Sequence, residues 1–229
     1  MNVKTDYSTL KNLKKEKPKF LYEYLKNNNY KTSEDSNFQN YGGLRTKGIY
    51  KSPEKSKPLI SVITVSLNSE KTIEKTIVSV LEQSYDNIEY IIVDGKSNDQ
   101  TLNIIKKYES SIDLWISEKD KGIFNAINKG IKLSSGNIIA ILNSDDIFTK
   151  DALVLVNNYF RRDVDFIFGS VEKDRLLSGF HKVKIKWKFN IFPAHSSGFF
   201  ISRDAQIKVG LYDESFKLHA DYDLIYKLI

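Results

Sequence analysis

The sequence predicts an α/β protein built on a doubly wound, mostly parallel sheet with helices on both faces. Almost continuously apolar runs rich in β-branched residues occur at 59–67, 88–93 and 138–142, as expected of strands buried on both faces. Segments with helical periodicity separate these runs, which is the order that produces parallel strands. Polar residues collect where the runs end, and the carboxyl ends of the strands form the ligand-binding edge of such a sheet.

Strands and helices alternate through the first part of the predicted domain. Ile123, Ile127 and Ile131 recur at intervals of four, so their helix presents one apolar face. Asn68 or Ser69 is expected to cap the first helix, because both side chains accept hydrogen bonds from free backbone N–H groups. In chain order, the predicted elements are a strand at 59–67, a helix to about 83, a strand at 88–93, a helix after 97–99, a strand at 114–116, a helix at 123–133 and a strand at 138–142.

Beyond residue 146 the pattern is less regular. The predicted elements are a helix after 149, a strand at 166–169, an exposed strand at 179–187 with a basic face, a strand at 195–201, a short helix at 205–209 and a helix that opens at 219. The lysines of the basic face are expected to be solvated. Because the sequence ends inside the last helix, we expect the domain to be truncated at its C-terminus.

Composition and charge divide the chain in two. Its 229 residues fit one large domain with an appendage, and the absence of cysteine excludes disulfide scaffolds and thiolate metal sites. Residues 1–57 hold 13 Lys and Arg against 6 Asp and Glu, whereas residues 58–229 hold 22 against 23. We therefore expect a basic, partly flexible N-terminal extension and linker at 1–57, and one domain at 58–229. The extension is either a solvated tail or a segment drawn to an anionic membrane or a phosphorylated acceptor.

An acidic turn follows the apolar run 138–142. Its residues are Asn143, Ser144, Asp145 and Asp146. Two adjacent carboxylates repel each other, which favours a divalent cation, Mg²⁺ or Mn²⁺, bound together with a phosphorylated substrate. Alternatively, the turn only caps the helix that follows. Asp94 ends the run 88–93 and should lie on the same edge of the sheet, which favours a ligand role for both turns.

Four motifs in this order and spacing identify a family. They are the runs 62–68 (VITVSLN), 93–99 (VDGKSND), 120–130 (DKGIFNAINKG) and 143–146 (NSDD). Together they resemble the family-2 glycosyltransferases, which have the Rossmann-like glycosyltransferase-A fold. The chain is similar to the branch that builds bacterial surface polysaccharides of the colanic-acid type. The resemblance covers roughly residues 58–228.

The resemblance implies roles for individual residues. Asp94 resembles the carboxylate that accepts a hydrogen bond from the nucleotide base, and Asp221 resembles the acid that acts as general base. Asp145 resembles the metal-binding carboxylate, with Asp146 beside it. His195, which opens a predicted strand near the same edge of the sheet, is either structural or in contact with the cation or the diphosphate. The residues expected to bind the sugar nucleotide are Thr64, Asn68, Asp94, Asp120, Gly122, Asn128, Asn143 and Ser144.

Two departures from the family pattern affect the expected site. Asn143 replaces the first Asp of the D-x-D motif; an amide can still hydrogen-bond a ribose hydroxyl but is a poorer cation ligand, so the metal should rest on Asp145. Ile127 stands where many members have Arg, which leaves Lys121 or Lys119 to help hold the diphosphate.

The resemblance therefore implies an inverting, metal-dependent glycosyltransferase. Its donor would be a nucleotide-diphosphate sugar, with UDP favoured, and its acceptor a hydroxyl of a saccharide or a lipid-linked sugar. We expect a cytoplasmic protein with peripheral contact at the inner face of the membrane, and no nucleic-acid partner. A sugar-nucleotide nucleotidyltransferase is one alternative, although residues 67–70 lack the glycine-rich loop that would cradle a triphosphate. A non-catalytic binding domain of the same fold is another.

Overall fold

The computed structural model describes residues 9, 14–15, 40–54, 57–160, 163–172, 176–177 and 196–228. Its strands are β1 (Lys14–Lys15), β2 (Tyr41–Gly42), β3 (Ile49–Tyr50), β4 (Ile60–Ser66), β5 (Ile88–Asp94), β6 (Leu114–Ser117), β7 (Ile138–Asn143), β8 (Phe166–Phe168), β9 (Val171–Glu172), β10 (Leu176–Leu177) and β11 (Phe199–Ser202). Its helices are α1 (Ile73–Leu81), α2 (Thr101–Lys107), α3 (Ile123–Leu133), α4 (Ala152–Tyr159), α5 (Arg203–Val209) and α6 (Ala220–Leu228).

Seven strands form one sheet in the order β2-β6-β5-β4-β7-β11-β8. The four central strands, β6, β5, β4 and β7, are mutually parallel, because the helices between them return the chain to the same edge. Strand β2 adds antiparallel to β6, and β11 lies antiparallel between β7 and β8. This arrangement confirms the predicted doubly wound, mostly parallel sheet.

Helices cover both faces of the sheet, as predicted. Alternate residues of β4 point to opposite sides and enter different clusters. Ile60 and Val62 pack in the cluster that includes residues of α1, α2 and α4, whereas Ile63 and Val65 pack with residues of α3, α5 and α6. All four of these side chains are buried, because a central strand has no solvent-facing side. Among the helices that are described, none is both long and apolar enough to cross a membrane.

Part of the N-terminal segment belongs to the sheet. Strand β2 lies on the sheet edge, and two basic residues that follow it are buried. Arg45 forms an ion pair with Glu89 and donates from Nη1 to the carbonyl of Leu133 at 2.6 Å. Lys51 pairs with Asp113 at 2.6 Å. Residues 41–51 are therefore packed structure within the stretch where the sequence predicts an extension and linker.

Helix α1 begins three or four residues later than predicted, because its N-cap is Thr72 and not Asn68 or Ser69. Asn68 has a left-handed backbone with φ of 51°, so the chain cannot continue directly into a helix there. The backbone N–H of Asn68 donates to Ser97 at 2.8 Å, and that of Ser69 donates to Thr101 at 2.7 Å. Residues 67–72 therefore form a loop along the carboxyl edge of the sheet. The predicted strand at 179–187 lies outside the described residues.

Candidate functional site

A cavity of about 710 Å³ opens at the carboxyl edge of the sheet. Its walls come from the loops that follow β4, β5, β6 and β7 and from the first turns of α3. The lining residues are Val65, Ser66, Leu67, Asn68, Ser69, Glu70, Lys71, Thr72, Asp99, Asp120, Gly122, Ile123, Ala126, Asn143, Ser144 and Asp145. Six residues that the sequence assigned to donor or metal binding are thus brought together in one place, since Asn68, Asp120, Gly122, Asn143, Ser144 and Asp145 all line it.

The loops after β4 and β7 meet across the cavity floor. The hydroxyls of Ser69 and Ser144 lie 2.8 Å apart, within hydrogen-bonding distance. On the opposite side, Asn68 Oδ1 accepts the backbone N–H of Asn98 at 2.9 Å. These bonds fix the loop after β4 between its two neighbours, so the cavity has a defined shape before any ligand binds.

Asp94 organises the loop after β5 from inside the protein. Its carboxylate has no exposed surface and accepts four hydrogen bonds. Ser97 donates its backbone N–H at 3.0 Å and its hydroxyl at 2.5 Å. The hydroxyls of Ser66 and Ser117 donate at 3.2 and 2.6 Å. Asp94 does not line the cavity, and its predicted contact with a nucleotide base stays a prediction.

Two further residues predicted to bind the donor are buried beside the cavity. The hydroxyl of Thr64 lies 3.1 Å from that of Tyr90, between the sheet and its helices. Asn128, on α3, uses both atoms of its amide to bond the backbone of Tyr212. Neither side chain lines the cavity. The hydrogen bonds that the structure shows for both residues are with other residues of the protein.

The acidic turn after β7 separates its two carboxylates. Asp145 is exposed and lines the cavity. Asp146 is half-buried and accepts hydrogen bonds from Ser197 at 2.5 Å and from Asn143 Nδ2 at 3.2 Å. Asn143 Oδ1 is buried and has no hydrogen-bond donor among the described residues. Asp145 and this amide oxygen are therefore the acceptors left for a ligand.

A basic residue that the sequence interpretation missed also lines the cavity. Lys71 lies in the loop after β4, whereas Lys119 and Lys121, which were expected to help hold the diphosphate, are absent from the described lining. Lys71 went unnoticed because the sequence interpretation placed it in the first turn of a helix and not in a loop. A sequence signal for this loop was the asparagine at position 68, since a short polar side chain after a strand favours a turn. In the structure Asn68 is indeed left-handed.

Asp120 lies on the side of the cavity next to β6. Its Oδ1 accepts the backbone N–H of Gly122 at 2.9 Å, which closes a tight turn before α3. Gly122 has φ of 123°, a value that side chains other than that of glycine rarely tolerate. Asp120 is half-buried, and its Oδ2 has no donor in the part of the chain that is described.

Two carboxylates of the C-terminal region lie near α3. Asp221, in the first turn of α6, is half-buried, and no donor from the described residues engages it. Burial raises the pKa of Tyr212, and the nearby charge of Asp221 raises that pKa further. Glu214 accepts hydrogen bonds from Asn125 and Asn128, both at 2.9 Å. The Asn128 hydrogen bond is the main cause of a lowered pKa of Glu214.

The predicted metal site is only partly described. His195 lies outside the described residues. Within the described ranges, no three His, Cys, Asp or Glu residues are grouped closely enough to hold a metal ion. Of the two carboxylates of the acidic turn, Asp145 is the one that lines the cavity.

The chain is similar to known glycosyltransferases. The sequence profile of Glycosyl transferase family 2 matches residues 61–216. Over 116 residues the chain is 36% identical to the UDP-Glc:alpha-D-GlcNAc-diphosphoundecaprenol beta-1,3-glucosyltransferase WfgD of Escherichia coli, covering 50% of this chain and 46% of that protein. Over 100 residues it is 43% identical to the putative teichuronic acid biosynthesis glycosyltransferase TuaG of Bacillus subtilis, covering 42% of this chain and 40% of that protein. The matched region thus spans less than half the length of either relative.

A solved structure shares the fold. The mannosyltransferase PcManGT from Pyrobaculum calidifontis, determined in complex with GDP-Man and Mn²⁺, superposes with a TM-score of 0.59 at 18% identity. The superposition covers 75% of this chain and 52% of that one.

Proposed function

The chain belongs to glycosyl transferase family 2 and has the glycosyltransferase-A fold, and from that premise we propose that it moves a sugar from a nucleotide-diphosphate donor to an acceptor hydroxyl. One observation carries the proposal. The cavity of about 710 Å³ at the carboxyl edge of the sheet has the size of a small-molecule site, and residues from all four family motifs line it. The cavity also lies where open α/β sheets bind nucleotides.

The diphosphate of the donor is proposed to lie between Lys71 and Asp145. Lys71 supplies a positive charge in the cavity wall. Mg²⁺ is commonly held by one or two carboxylates together with substrate phosphates and water, and the exposed Asp145 with the unpaired Asn143 Oδ1 matches such a site. The Mn²⁺ bound by PcManGT supports a divalent cation here. When bound, the cation would stabilise the charge that develops on the leaving diphosphate.

Asp221 is proposed as the general base of a single, inverting displacement. The base must take the proton of the acceptor hydroxyl as that oxygen attacks the anomeric carbon. Asp221 suits this role because its carboxylate is half-exposed and is not engaged by donors within the described residues. Glu214 is less suited, because two amides already bind its carboxylate and lower its pKa, which makes it a weaker base.

The relatives support a UDP-sugar donor and a role in surface polysaccharide synthesis. WfgD is named for UDP-Glc and for an acceptor linked to diphosphoundecaprenol, and TuaG for teichuronic acid biosynthesis. On this basis we propose a UDP-sugar as donor, a saccharide or lipid-linked sugar as acceptor, and work at the inner face of the membrane. The basic balance of residues 1–57 is consistent with attraction to an anionic surface.

A panel of nucleotide sugars tests the proposal. The protein is incubated with UDP-Glc, UDP-GlcNAc and GDP-Man in the presence of Mn²⁺, and the products of slow donor hydrolysis are measured. Release of a nucleoside diphosphate supports a glycosyltransferase. Formation of pyrophosphate from a sugar phosphate and a nucleoside triphosphate would instead indicate a nucleotidyltransferase, and the absence of both reactions would indicate a non-catalytic domain.

A further inference from the structure

We infer that Asn125 and Glu214 are positioning residues that join the donor side of the proposed site to its acceptor side. Asn125 lies in the first turn of α3, next to the loop 118–122 that contributes to the cavity wall. Glu214 lies in the segment 211–219, which leads to Asp221. The inference rests on the proposed function, since it assumes that the cavity holds a nucleotide. The bond between the two side chains holds the loop in the position that the nucleotide requires.

Each end of the Asn125 amide meets a partner of the right polarity. Its Oδ1 accepts the backbone N–H of Lys121 at 3.2 Å, and its Nδ2 donates to Oε2 of Glu214 at 2.9 Å. An N–H needs an acceptor and a carboxylate needs a donor, so the two partners fix the orientation of the amide. Lys121 lies between Asp120 and Gly122, both of which line the cavity. The bridge from Glu214 therefore ends on the backbone of the cavity wall.

Capping of α3 accounts for only half of this arrangement. A polar side chain in the first turn of a helix commonly reaches back to a free backbone N–H, as Asn125 does toward Lys121. Such a cap needs no partner beyond the helix. The second bond leaves the helix and joins Asn125 to a residue 89 positions further along the chain. The carboxylate of that residue is charged at neutral pH, because the hydrogen bond from Asn128 lowers the pKa of Glu214.

The loop 118–122 is held to α3 at two places. Lys129 pairs with Glu118 at 2.7 Å, at the start of the loop. Asn125 holds the far end, where the residues that line the cavity lie. Because this second contact continues to Glu214, a change on the acceptor side should reach the cavity wall.

An exchange of polarity across the bridge tests the inference on the full chain. Asn125→Asp sets two carboxylates against each other. Glu214→Gln leaves one oxygen, which should stay with the buried Asn128 and turn the new amide group toward that of Asn125. Both variants therefore lose the bond between the two side chains. The double variant regains it, because the new amide donates to the new carboxylate, which still accepts the N–H of Lys121. Its net charge equals that of the wild type.

The affinity for UDP is measured by calorimetric titration in Mn²⁺, with melting temperatures in parallel. We expect each single variant to bind UDP about three- to tenfold more weakly, the usual value of one hydrogen bond, and the double variant to bind within about twofold of the wild type. Melting temperatures should change little, because Glu214 is exposed and Asn125 is partly exposed. Charge alone predicts a different result, since removing a negative charge by Glu214→Gln should strengthen the binding of an anion.

Asp213→Asn is the matched control. It removes the same charge at the neighbouring position, where the carboxylate accepts the backbone N–H of Ser215 at 2.8 Å. Because this bond lies within the segment 211–219 and does not reach α3, the variant should change UDP affinity by less than about twofold.

The outcomes separate this inference from the proposed function. If the wild-type protein binds neither UDP nor GDP, the proposed function fails and the inference fails with it; if it binds GDP alone, the same comparison is made with GDP. If the nucleotide binds and either single variant keeps the wild-type affinity, only the inference is overturned. It is also overturned if the double variant binds no better than the single variants. Should Asn125→Asp unfold, the comparison of Glu214→Gln with the double variant decides, because recovery on adding a second substitution requires the pair.

Discussion

Asn128 and Tyr212 are bonded to each other in both directions. Nδ2 of Asn128 donates to the Tyr212 carbonyl at 2.8 Å, and Oδ1 accepts the Tyr212 N–H at 2.9 Å. The ring of Tyr212 also stacks on Phe124, with ring centroids 5.7 Å apart. Helix α3, which begins at the cavity, is thereby joined to the segment that leads to Asp221. The donor side and the acceptor side of the proposed site share one rigid connection.

Asn128→Ala should therefore lower the stability of the protein, and not its affinity for the nucleotide. The substitution leaves the buried N–H and C=O of Tyr212 unpaired, so we expect a loss of about 2–5 kcal/mol in the free energy of unfolding, measured by urea denaturation. Asn125→Ala, which removes a more exposed amide, is the control and should cost less than about 1 kcal/mol. A stable Asn128→Ala protein that has lost UDP affinity would instead assign Asn128 to donor binding.

Binding of UDP should depend on a divalent cation through Asp145. We expect calorimetric UDP affinity to fall when EDTA replaces Mn²⁺. Asp145→Asn should weaken Mn²⁺-dependent binding with little change in melting temperature, because this carboxylate is exposed. Asp146→Asn should mainly lower the melting temperature, since Asp146 accepts hydrogen bonds from Ser197 and Asn143. Equal UDP affinities in Mn²⁺ and EDTA would contradict the cation site.

Replacing Asp221 should remove transfer while leaving the donor bound. Asp221→Asn keeps the size of the side chain but cannot take a proton, so we expect the transfer rate to fall by about 10²–10⁴ with nearly unchanged UDP affinity. Asp223→Asn serves as control, because Asp223 is paired with Lys227 at 2.6 Å on the same helix. If Glu214→Gln abolishes transfer and Asp221→Asn does not, Glu214 is the base.

Glu214 should make stability depend on acid pH. The hydrogen bond from Asn128, supported by that from Asn125, lowers the pKa of Glu214 in the folded protein. A lowered folded pKa stabilises the protein above the unfolded value near 4.3, and the effect is lost as pH falls through the folded value. The free energy of unfolding of the wild type relative to Glu214→Gln should therefore shrink between about pH 5 and pH 3. The difference should stay below about 1 kcal/mol, because solvent screens this exposed carboxylate.

Removing the buried Arg45 should be costly. Arg45→Met leaves Glu89 charged and buried without its partner, so we expect a loss of about 3–5 kcal/mol in urea unfolding. The exposed Lys47 pairs with Glu109 at 3.9 Å, and Lys47→Met should change stability by less than about 1 kcal/mol. Adding Glu89→Leu to Arg45→Met should restore much of the loss. If Arg45→Met, like Lys47→Met, changes the free energy of unfolding by less than about 1 kcal/mol, the buried contacts of Arg45 do not stabilise the N-terminal segment.

The central strands were predictable because burial on both faces leaves an unbroken apolar run. Strands β4, β5 and β7 lie within one or two residues of their predicted bounds. The edge strand β2 is two residues long and carries no periodic signal. The sequence interpretation placed Arg45 and Lys51 in an extension and linker, although Glu89 inside the apolar run 88–93 was a sign that a cation must be buried nearby.

The cavity was predictable in position but not in all its members. Polar residues at strand ends located Asn143, Ser144 and Asp145 correctly beside one cavity. The sequence does not tell whether such a side chain bonds a ligand or the protein itself. Asp94 and Asn128 look alike in sequence to the lining residues. Their hydrogen-bonding atoms are taken up in part by Ser117 and Tyr212, both more than 20 residues away along the chain, and such distant contacts cannot be read from the sequence.

The contact between Arg45 and Leu133 sets an order of events during synthesis. Arg45 leaves the ribosome first, but the carbonyl that it binds is 88 residues further along the chain. At about 5–20 residues per second, Arg45 waits roughly 4–18 s before its partner has been made. Until then the guanidinium cannot donate to this carbonyl, even though β6, the strand that β2 joins, is translated before Leu133. Residues 41–51 are therefore translated before the central strands, but they cannot complete their contacts until β4, β5, β6 and the helix that ends at Leu133 have been made.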